Sequence, residues 1–195
     1  FAASSGAVAT GVGDLNDDGL ADFAVSDPAN SYGGGERVYL FLGSAIYRGA
    51  AGIALTAASD SAASFAGSSQ PGKQIIPLGD VDGDGVDDLL YSDGNAPRLV
   101  YGRSAADWGQ GYGGDATLSY SPAASGVLAA PGDVNADGLN DLVLGTSGNQ
   151  VYVVHGDATR PGSPAIAATI SDAAVVASAP YAAGSDLNCD LSSDL

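Results

Sequence analysis

The chain has very few of the residues on which several common protein classes depend. Its 195 residues include one cysteine, one histidine, no methionine and six lysines and arginines. With Cys189 alone, no disulfide can form within the chain. With His155 alone, multi-histidine metal sites are excluded, and six basic residues against 23 acidic ones oppose binding to nucleic-acid phosphates. No apolar run approaches the ~20 residues of a membrane-spanning helix.

Glutamate is nearly absent as well, which bears on the fold class. Of the 23 acidic residues only Glu36 is a glutamate, and the rest are aspartates. Aspartate favours turns and caps, whereas glutamate favours helix interiors, so the composition indicates little helix. Fifteen of the acidic residues fall in four nine-residue loops, so most of the formal charge of −17 is concentrated there.

These four loops share one spacing of oxygen-bearing side chains. The first, within GDLNDDGLADFAV, has aspartate or asparagine at loop positions 1, 3, 5 and 9 and glycine at position 6. This arrangement wraps a hard cation such as calcium, and the residue at position 7 can add its backbone carbonyl. Without a cation the carboxylates would repel one another and raise their pKa values. Loop one spans 14–22, loop two 80–88, loop three 133–141 and loop four 186–194.

The predicted ligands recur in every loop. They are Asp14, Asn16, Asp18, Leu20 and Asp22 in loop one; Asp80, Asp82, Asp84, Val86 and Asp88 in loop two; Asp133, Asn135, Asp137, Leu139 and Asp141 in loop three; and Asp186, Asn188, Asp190, Ser192 and Asp194 in loop four. The first positions lie 66, 53 and 53 residues apart, and an isolated acidic turn gives no reason for such recurrence. Loop four has Leu191 in place of glycine. We therefore predict three Ca²⁺ sites and a weaker fourth.

A repeated pattern of short strands surrounds the loops. A segment ending in Gly-Asp or Ser-Asp precedes each loop, and an apolar run follows each of the first three. A turn-rich gap then leads to a second apolar run, and a more polar stretch comes last, at 52–59, 115–121 and 165–171 in the three units. Continuous apolar runs are typical of strands covered on both faces, and a more polar stretch is typical of a strand at the outer edge of a sheet. The predicted fold class is all-β, with β-propeller blades of four antiparallel strands.

The spacing of the pattern also predicts the domain organisation. We expect blade units at 1–64, 65–119 and 120–172 and the start of a fourth at 173–195. Closed propellers usually have 4 to 8 blades. The chain is therefore expected to be part of a larger propeller, with its edges packed on the rest of the parent protein or on another subunit.

The loops and their strands resemble the FG-GAP repeats of integrin alpha subunits and their many bacterial relatives, which form calcium-carrying β-propellers. The resemblance spans almost the whole chain and is carried by the Asp-x-Asp/Asn-x-Asp-Gly-x-x-Asp motif between strands. It implies calcium in the loop that joins the first two strands of a blade, where the ion serves structure rather than chemistry. Dockerins and EF-hands fit less well, because they need a helix after the loop and a carboxylate at position 12, where this chain has Val25, Tyr91 and Leu144.

Catalytic groups are scarce outside the loops. His155 aligns with Leu42 and Tyr101, one residue before a glycine that ends an apolar run, which favours a structural role. No Gly-x-Ser-x-Gly motif of a serine hydrolase occurs. Trp108 has two interpretations, stacking on a sugar or partner and covering a blade edge, of which the second is favoured. No catalytic residue is predicted.

These observations together predict a non-catalytic, calcium-binding propeller segment of a secreted, cell-surface or periplasmic protein, since weak-affinity calcium modules work where calcium is abundant. The expected role is adhesion, or scaffolding of an extracellular assembly, with a protein or glycan partner on the loops of the propeller faces. Two alternatives stay open. One is an accessory propeller of a larger extracellular hydrolase, and the other is a subunit clamped onto a multiprotein complex.

Overall fold

The computed structural model describes residues 8–27, 37–49, 52, 54–66, 74–92, 97–109, 116–117, 124–146, 150–158 and 175–176. Within this part of the chain the helical segments are α1 (Ala57–Asp60) and two 3-10 turns at Ala45–Tyr47 and Ala105–Asp107. The strands are β1 (Ala9–Gly13), β2 (Asp22–Asp27), β3 (Arg37–Phe41), β4 (Ala63–Ala66), β5 (Ile75–Gly79), β6 (Asp88–Ser92), β7 (Pro97–Val100), β8 (Ala116–Thr117), β9 (Ala124–Gly132), β10 (Asp141–Thr146), β11 (Gln150–Val154) and β12 (Val175–Val176). The predicted all-β class with little helix is confirmed.

The strands form three four-stranded sheets, each from consecutive segments of the chain. The first sheet has the order β1-β2-β3-β4, the second β5-β6-β7-β8 and the third β9-β10-β11-β12. All neighbouring strands are antiparallel. Each sheet is therefore a simple meander of four strands, as the repeat pattern predicts. Among the described residues none of the three sheets closes on itself.

Consecutive sheets pack face to face, and the second sheet lies between the other two. In β6, Leu89 and Tyr91 belong to the core shared with the first sheet, whereas Leu90 belongs to the core shared with the third. Successive side chains of a strand point to opposite faces, so a strand covered on both sides must be apolar at every position. This packing explains the continuous apolar runs in the sequence. The first strands of the sheets are also neighbours, because β5 contacts both β1 and β9.

The fourth strand of the first sheet lies later in the chain than predicted. The described residues of the polar stretch 52–59 contain no strand and lead into α1. Instead β4 pairs with β3, with Phe65 opposite Val38. Phe65 is fully buried, and its ring stacks on Tyr91 of the second sheet at 5.6 Å. Burial of this ring between two sheets determines which segment becomes the fourth strand, and polarity alone does not reveal it.

Of the fourth strands of the other two sheets, one lies where predicted and the other lies later in the chain. β8 lies within the polar stretch 115–121, as predicted. β12 pairs with β11 and follows the predicted stretch 165–171, which is outside the described residues. The expected unit boundary at 64/65 consequently falls inside β4, and the boundary at 172/173 separates β12 from the rest of its sheet.

Candidate metal centres

Each of the first three loops joins the first and second strands of its sheet. Loop one lies between β1 and β2, loop two between β5 and β6, and loop three between β9 and β10. The glycine before each loop pairs with the ninth-position aspartate next to a register shift; these pairs are Gly13 with Asp22, Gly79 with Asp88 and Gly132 with Asp141. The predicted ligands of loop four (Asp186, Asn188, Asp190, Ser192 and Asp194) lie outside the described residues.

A strand, not a helix, follows each of these loops. Position 12 is occupied by Val25 in β2, Tyr91 in β6 and Leu144 in β10, and all three side chains are buried. A helix and a bidentate carboxylate at this position define the EF-hand. The loops therefore belong to a strand-loop-strand arrangement.

The three loops share one backbone conformation. Glycine at position 6 has a positive φ in each, with values of 81° at Gly19, 87° at Gly85 and 91° at Gly138. Position 4 is also left-handed, with φ of 55° at Asp17, 77° at Gly83 and 61° at Ala136. Residues with a Cβ rarely adopt such angles, and glycine removes the penalty. The same turn is therefore built three times from three different sequences.

The first aspartate of each loop organises the turn by accepting backbone N–H groups. One carboxylate oxygen accepts the N–H of the position-6 glycine, at 2.7 Å for Asp14, 2.9 Å for Asp80 and 2.8 Å for Asp133. The other oxygen accepts N–H groups from positions 3 to 5. These bonds fix the orientation of the carboxylate, since both of its oxygens accept backbone N–H groups of the loop.

Positions 3 and 5 make the next two turns of the loop. The position-3 side-chain oxygen accepts the position-5 N–H, at 3.3 Å for Asn16, 3.2 Å for Asp82 and 3.0 Å for Asn135. The position-5 carboxylate then accepts the position-7 N–H, in the pairs Asp18–Leu20, Asp84–Val86 and Asp137–Leu139 at 2.8 to 2.9 Å. Successive turns of this kind place the side chains of alternate residues on the same side of the loop.

The ninth aspartate joins the loop to the third strand of its sheet. Asp88 accepts the N–H of Val81 at 2.8 Å with one oxygen and the N–H of Gly102 at 2.8 Å with the other. The same two bonds recur in the pairs Asp22 with Leu15 and Gly43, and Asp141 with Val134 and Gly156. All three aspartates are buried. In Asp22 and Asp88 each carboxylate oxygen still has a second lone pair, so these bonds leave both carboxylates able to bind a cation.

Burial raises the pKa of two ninth-position carboxyls, those of Asp22 and Asp88. The pKa of Asp88 is raised from 3.8 to about 7, chiefly by burial and less by the negative charges of Asp82 and Asp84. Burial also raises the pKa of Asp22. For Asp133 desolvation acts upward as well, but the backbone N–H groups of its own loop outweigh it and lower the pKa. The expected rise in pKa therefore occurs at Asp22 and Asp88, with burial rather than mutual repulsion as its main cause.

Loop two brings three predicted ligands close enough to share one ion. Asp80, Asp82 and Asp88 each offer a carboxylate oxygen, and these oxygens lie within 4.8 Å of one another. Two oxygens bound to the same Ca²⁺ at 2.3–2.6 Å can be at most about 5 Å apart, so the set fits this ion. Asp84, the fourth predicted carboxylate, is exposed and is not part of this group.

Loops one and three present the equivalent set with one charge fewer. Asn16 and Asn135 replace the position-3 aspartate, so two carboxylates and an amide oxygen correspond to the group in loop two. The amide groups also donate to the position-5 carboxylates, at 3.1 Å to Asp18 and 2.8 Å to Asp137. The backbone framework is otherwise unchanged.

Two kinds of residue in these sites were not predicted. The glycines after the third strands (Gly43, Gly102 and Gly156) donate to the ninth aspartates, and a Cβ on any of them would collide with backbone atoms of the loop. The recurrence of glycine at the end of the second apolar run was the available signal. Position 8 (Asp87 and Asn140) connects one loop to the preceding one, and no local pattern marks it.

His155 and Trp108, the two residues outside the loops for which the sequence left a functional role open, both contact other residues of the sheets. His155 Nδ1 lies 3.2 Å from an oxygen of Asp141, in the place held by Leu42 and Tyr101 in the other sheets. Trp108 packs on the core between the first two sheets, with its ring edge-on to Phe65 at 6.1 Å and under the guanidinium group of Arg103 at 4.9 Å. Its buried indole N–H has no hydrogen-bond partner among the described residues.

Comparison with known proteins adds no further assignment. No protein-family model matches the chain, and no curated protein matches it. In the described segments, no helix has the length and apolar character needed to cross a membrane.

Proposed function

We propose that the chain is a calcium-binding, non-catalytic segment of an FG-GAP-like β-propeller. The observation that carries this proposal is the repeated loop, which has the same backbone turn at the same place in three sheets. In loop two this turn brings carboxylate oxygens of Asp80, Asp82 and Asp88 within 4.8 Å of one another. A solvated acidic turn requires neither the convergence nor the burial of Asp88.

The donor set selects the ion by its chemistry. Loops one to three contain no histidine or cysteine, and every side-chain donor at the ligand positions is a carboxylate or amide oxygen. Oxygen donors suit Ca²⁺ and Mg²⁺ rather than zinc or copper. A loop that combines carboxylate, amide and backbone carbonyl oxygens favours Ca²⁺, because Mg²⁺ demands a near-ideal octahedron and retains its waters.

The proposal of a propeller rests on how the sheets meet. Each sheet is a four-stranded meander, consecutive sheets share cores on opposite faces, and the first strands neighbour one another. In a propeller the blades are arranged in this way around a central axis, with the first strands innermost. On this proposal the three sheets are three blades of a larger propeller.

The proposal of a non-catalytic role rests on comparing the three sheets. His155 and Asp141 form a pair that resembles part of a catalytic triad. Asp22 and Asp88 keep the same two backbone bonds although leucine or tyrosine occupies the histidine position. The carboxylate therefore has its structural role without histidine. We propose adhesion or scaffolding outside the cytosol, through a protein or glycan partner on the connecting loops.

Calcium titration of the whole chain tests the function. We expect calorimetry to detect binding at loops one to three, and calcium to raise the melting temperature, because it binds only folded loops. Asp82→Ala should weaken one site, whereas the matched control Asp107→Asn, an exposed residue in a 3-10 turn, should leave all sites unchanged. Absence of calcium uptake at millimolar concentration would refute the proposal.

A further inference from the structure

Asp87 connects two of the candidate metal loops. It occupies position 8 of loop two and is not one of the predicted ligands. One oxygen of its carboxylate accepts the backbone N–H of Asp14 at 2.8 Å, and its own N–H donates to the Asp14 carbonyl at 3.2 Å. Asp14 is the first ligand of loop one. Both backbone polar groups of this ligand are thus bonded to one residue of the next loop.

The surrounding residues make this contact close and specific. The N–H of Arg103, just after β7, donates to the carbonyl of Leu15 at 2.9 Å, so two successive carbonyls of loop one accept N–H groups from loops of the second sheet. Gly13 has a φ of 86°, and a Cβ at this position would collide with the Asp87 carboxylate. Glycine before the loop therefore serves the approach of Asp87 as well as the turn itself.

The backbone part of the contact recurs between loops three and two. The N–H of Asn140, at position 8 of loop three, donates to the Asp80 carbonyl at 2.9 Å, and the N–H of Asp157 donates to the Val81 carbonyl at 2.9 Å. The side chain behaves differently, because Asn140 donates to the carbonyl of Leu78, at 2.9 Å. The Asp87 side chain therefore bonds to the N–H of the first ligand of the preceding loop, whereas the Asn140 side chain does not.

We propose that Asp87 is a positioning residue that couples cation binding by loop one to cation binding by loop two. The inference rests on the proposed calcium-binding function. Asp87 lies between Val86 and Asp88, the position-7 and position-9 ligands of loop two. A cation that orders these two residues also fixes Asp87, and through it the backbone of Asp14. Loop one then loses less conformational freedom when it binds its own ion, so each ion favours the other.

The test requires that calcium binding be measured separately at loop one and at loop two. The N–H groups of Gly19 and Gly85 are bonded to the first ligands of loops one and two, so their amide resonances in a calcium titration report the two loops individually. Asn16→Ala weakens loop one at a ligand position. If the loops are coupled, this change should also weaken calcium binding by loop two at least fivefold, within the usual range of about 5- to 150-fold for coupled sites. In an Asp87→Ala background the same change should alter loop two less than about twofold.

Two control variants separate the hydrogen bond from the charge. Asp87→Asn keeps an oxygen that can accept the Asp14 N–H, so the coupling should survive. Asp17→Asn removes the same charge from an exposed position of loop one that is not a ligand position, and it should also preserve the coupling. If Asp87→Ala does not fold, as judged by circular dichroism, Asp87→Ser replaces it, because its shorter side chain does not reach Asp14.

The outcomes distinguish the coupling from the function on which it rests. Calcium binding by both loops with independent affinities in the unmodified chain would overturn the coupling alone. Coupling of the same size in Asp87→Ala would overturn the role of Asp87. A failure of both loops to bind calcium would overturn the proposed function, and the coupling with it.

Discussion

The carboxylate of Asp88 and the backbone N–H of Gly102 lie 2.8 Å apart, which joins the end of loop two to the end of β7. The other carboxylate oxygen of Asp88 holds the N–H of Val81 at the start of the loop. Because Asp88 is buried, loss of these charge-assisted bonds leaves two buried N–H groups without a partner. The ninth position therefore contributes to folding independently of any ion, and the loop and its sheet should unfold together.

The first prediction concerns the glycines that meet the ninth aspartates. Gly43→Ala places a Cβ 2.6 Å from the carbonyl oxygen of Ala21, which is backbone and cannot move away cheaply. We expect the free energy of unfolding to fall by about 1–3 kcal/mol, as for other overpacked sites, in denaturant unfolding. Gly52→Ala is the matched control, since nothing lies within 4 Å of its Cβ. Equal stability of the two variants would contradict this account of Gly43.

The second prediction separates backbone strain from packing within loop three. Gly138 has a φ of 91° and open space around it, so Gly138→Ala should cost about 1–2 kcal/mol through strain alone and weaken calcium binding. Ala136 has a φ of 61°, so Ala136→Gly should relieve strain there and change stability in the opposite direction or not at all. Thermal unfolding with and without calcium measures both. Gly138→Leu imitates the Leu191 of loop four, and a site weakened roughly five- to thirtyfold is expected.

Much of this structure could be predicted because its signals are local. Turn residues, apolar runs and ligand spacing each involve fewer than about ten neighbouring residues, and they correctly predict an all-β chain with four-stranded units. The same spacing correctly places the first three loops between strands. The turn bonds that Asp14 and Asp80 make within their loops also follow from local chemistry.

The features that were missed depend on contacts distant in sequence. β4 is selected by burial of Phe65 against Tyr91 of another sheet, which outweighs the polarity of its neighbours. Asp87 is 73 residues from Asp14, and nothing in either loop alone indicates their contact. The main cause of the raised pKa of Asp88 is burial, which depends on how the sheets pack. Sequence spacing shows the repulsion between nearby carboxylates but not their burial.

The third prediction concerns pH in the absence of calcium. Asp88 has a folded-state pKa of about 7 against 3.8 when unfolded, so between these values the folded state binds more protons. The stability contributed by this group is fully present below pH 3.8 and is lost as the pH rises through 7. Calcium-free protein should therefore become more stable from pH 8 to pH 5, by up to about 1.4 kcal/mol per pH unit.

Melting temperatures of protein stripped by a chelating resin measure this effect. Asp88→Asn removes this titrating group and should reduce the trend to the part that the raised pKa of Asp22 contributes, whereas excess calcium should hold the carboxylates ionised and diminish it. The lowered pKa of Asp133 acts in the opposite direction but only below about pH 4, outside this window. A calcium-free chain that loses stability between pH 7 and pH 5 would contradict the prediction.

The fourth prediction concerns the charge at position 3 of loops one and two. Loop two should bind calcium most tightly, because Asp82 adds a carboxylate where loops one and three have an asparagine, and greater ligand charge generally raises affinity. Asp82→Asn should therefore lower the affinity of loop two to that of loop one, and Asn16→Asp should raise that of loop one. Asn16→Asp also removes the hydrogen bond that the Asn16 side-chain amide donates to Asp18, which frees an oxygen of the Asp18 carboxylate.

Both substitutions conserve side-chain size and the oxygen that accepts the position-5 N–H, so the turn is retained and the change in charge is isolated. The affinities are read from the Gly19 and Gly85 amide resonances during calcium titration. A reciprocal shift would show that position 3 determines the ranking of the loops. If Asp82→Asn leaves loop two unchanged while Asp80→Asn weakens it, position 3 does not bind the ion, and the cation is held by the first and ninth positions instead.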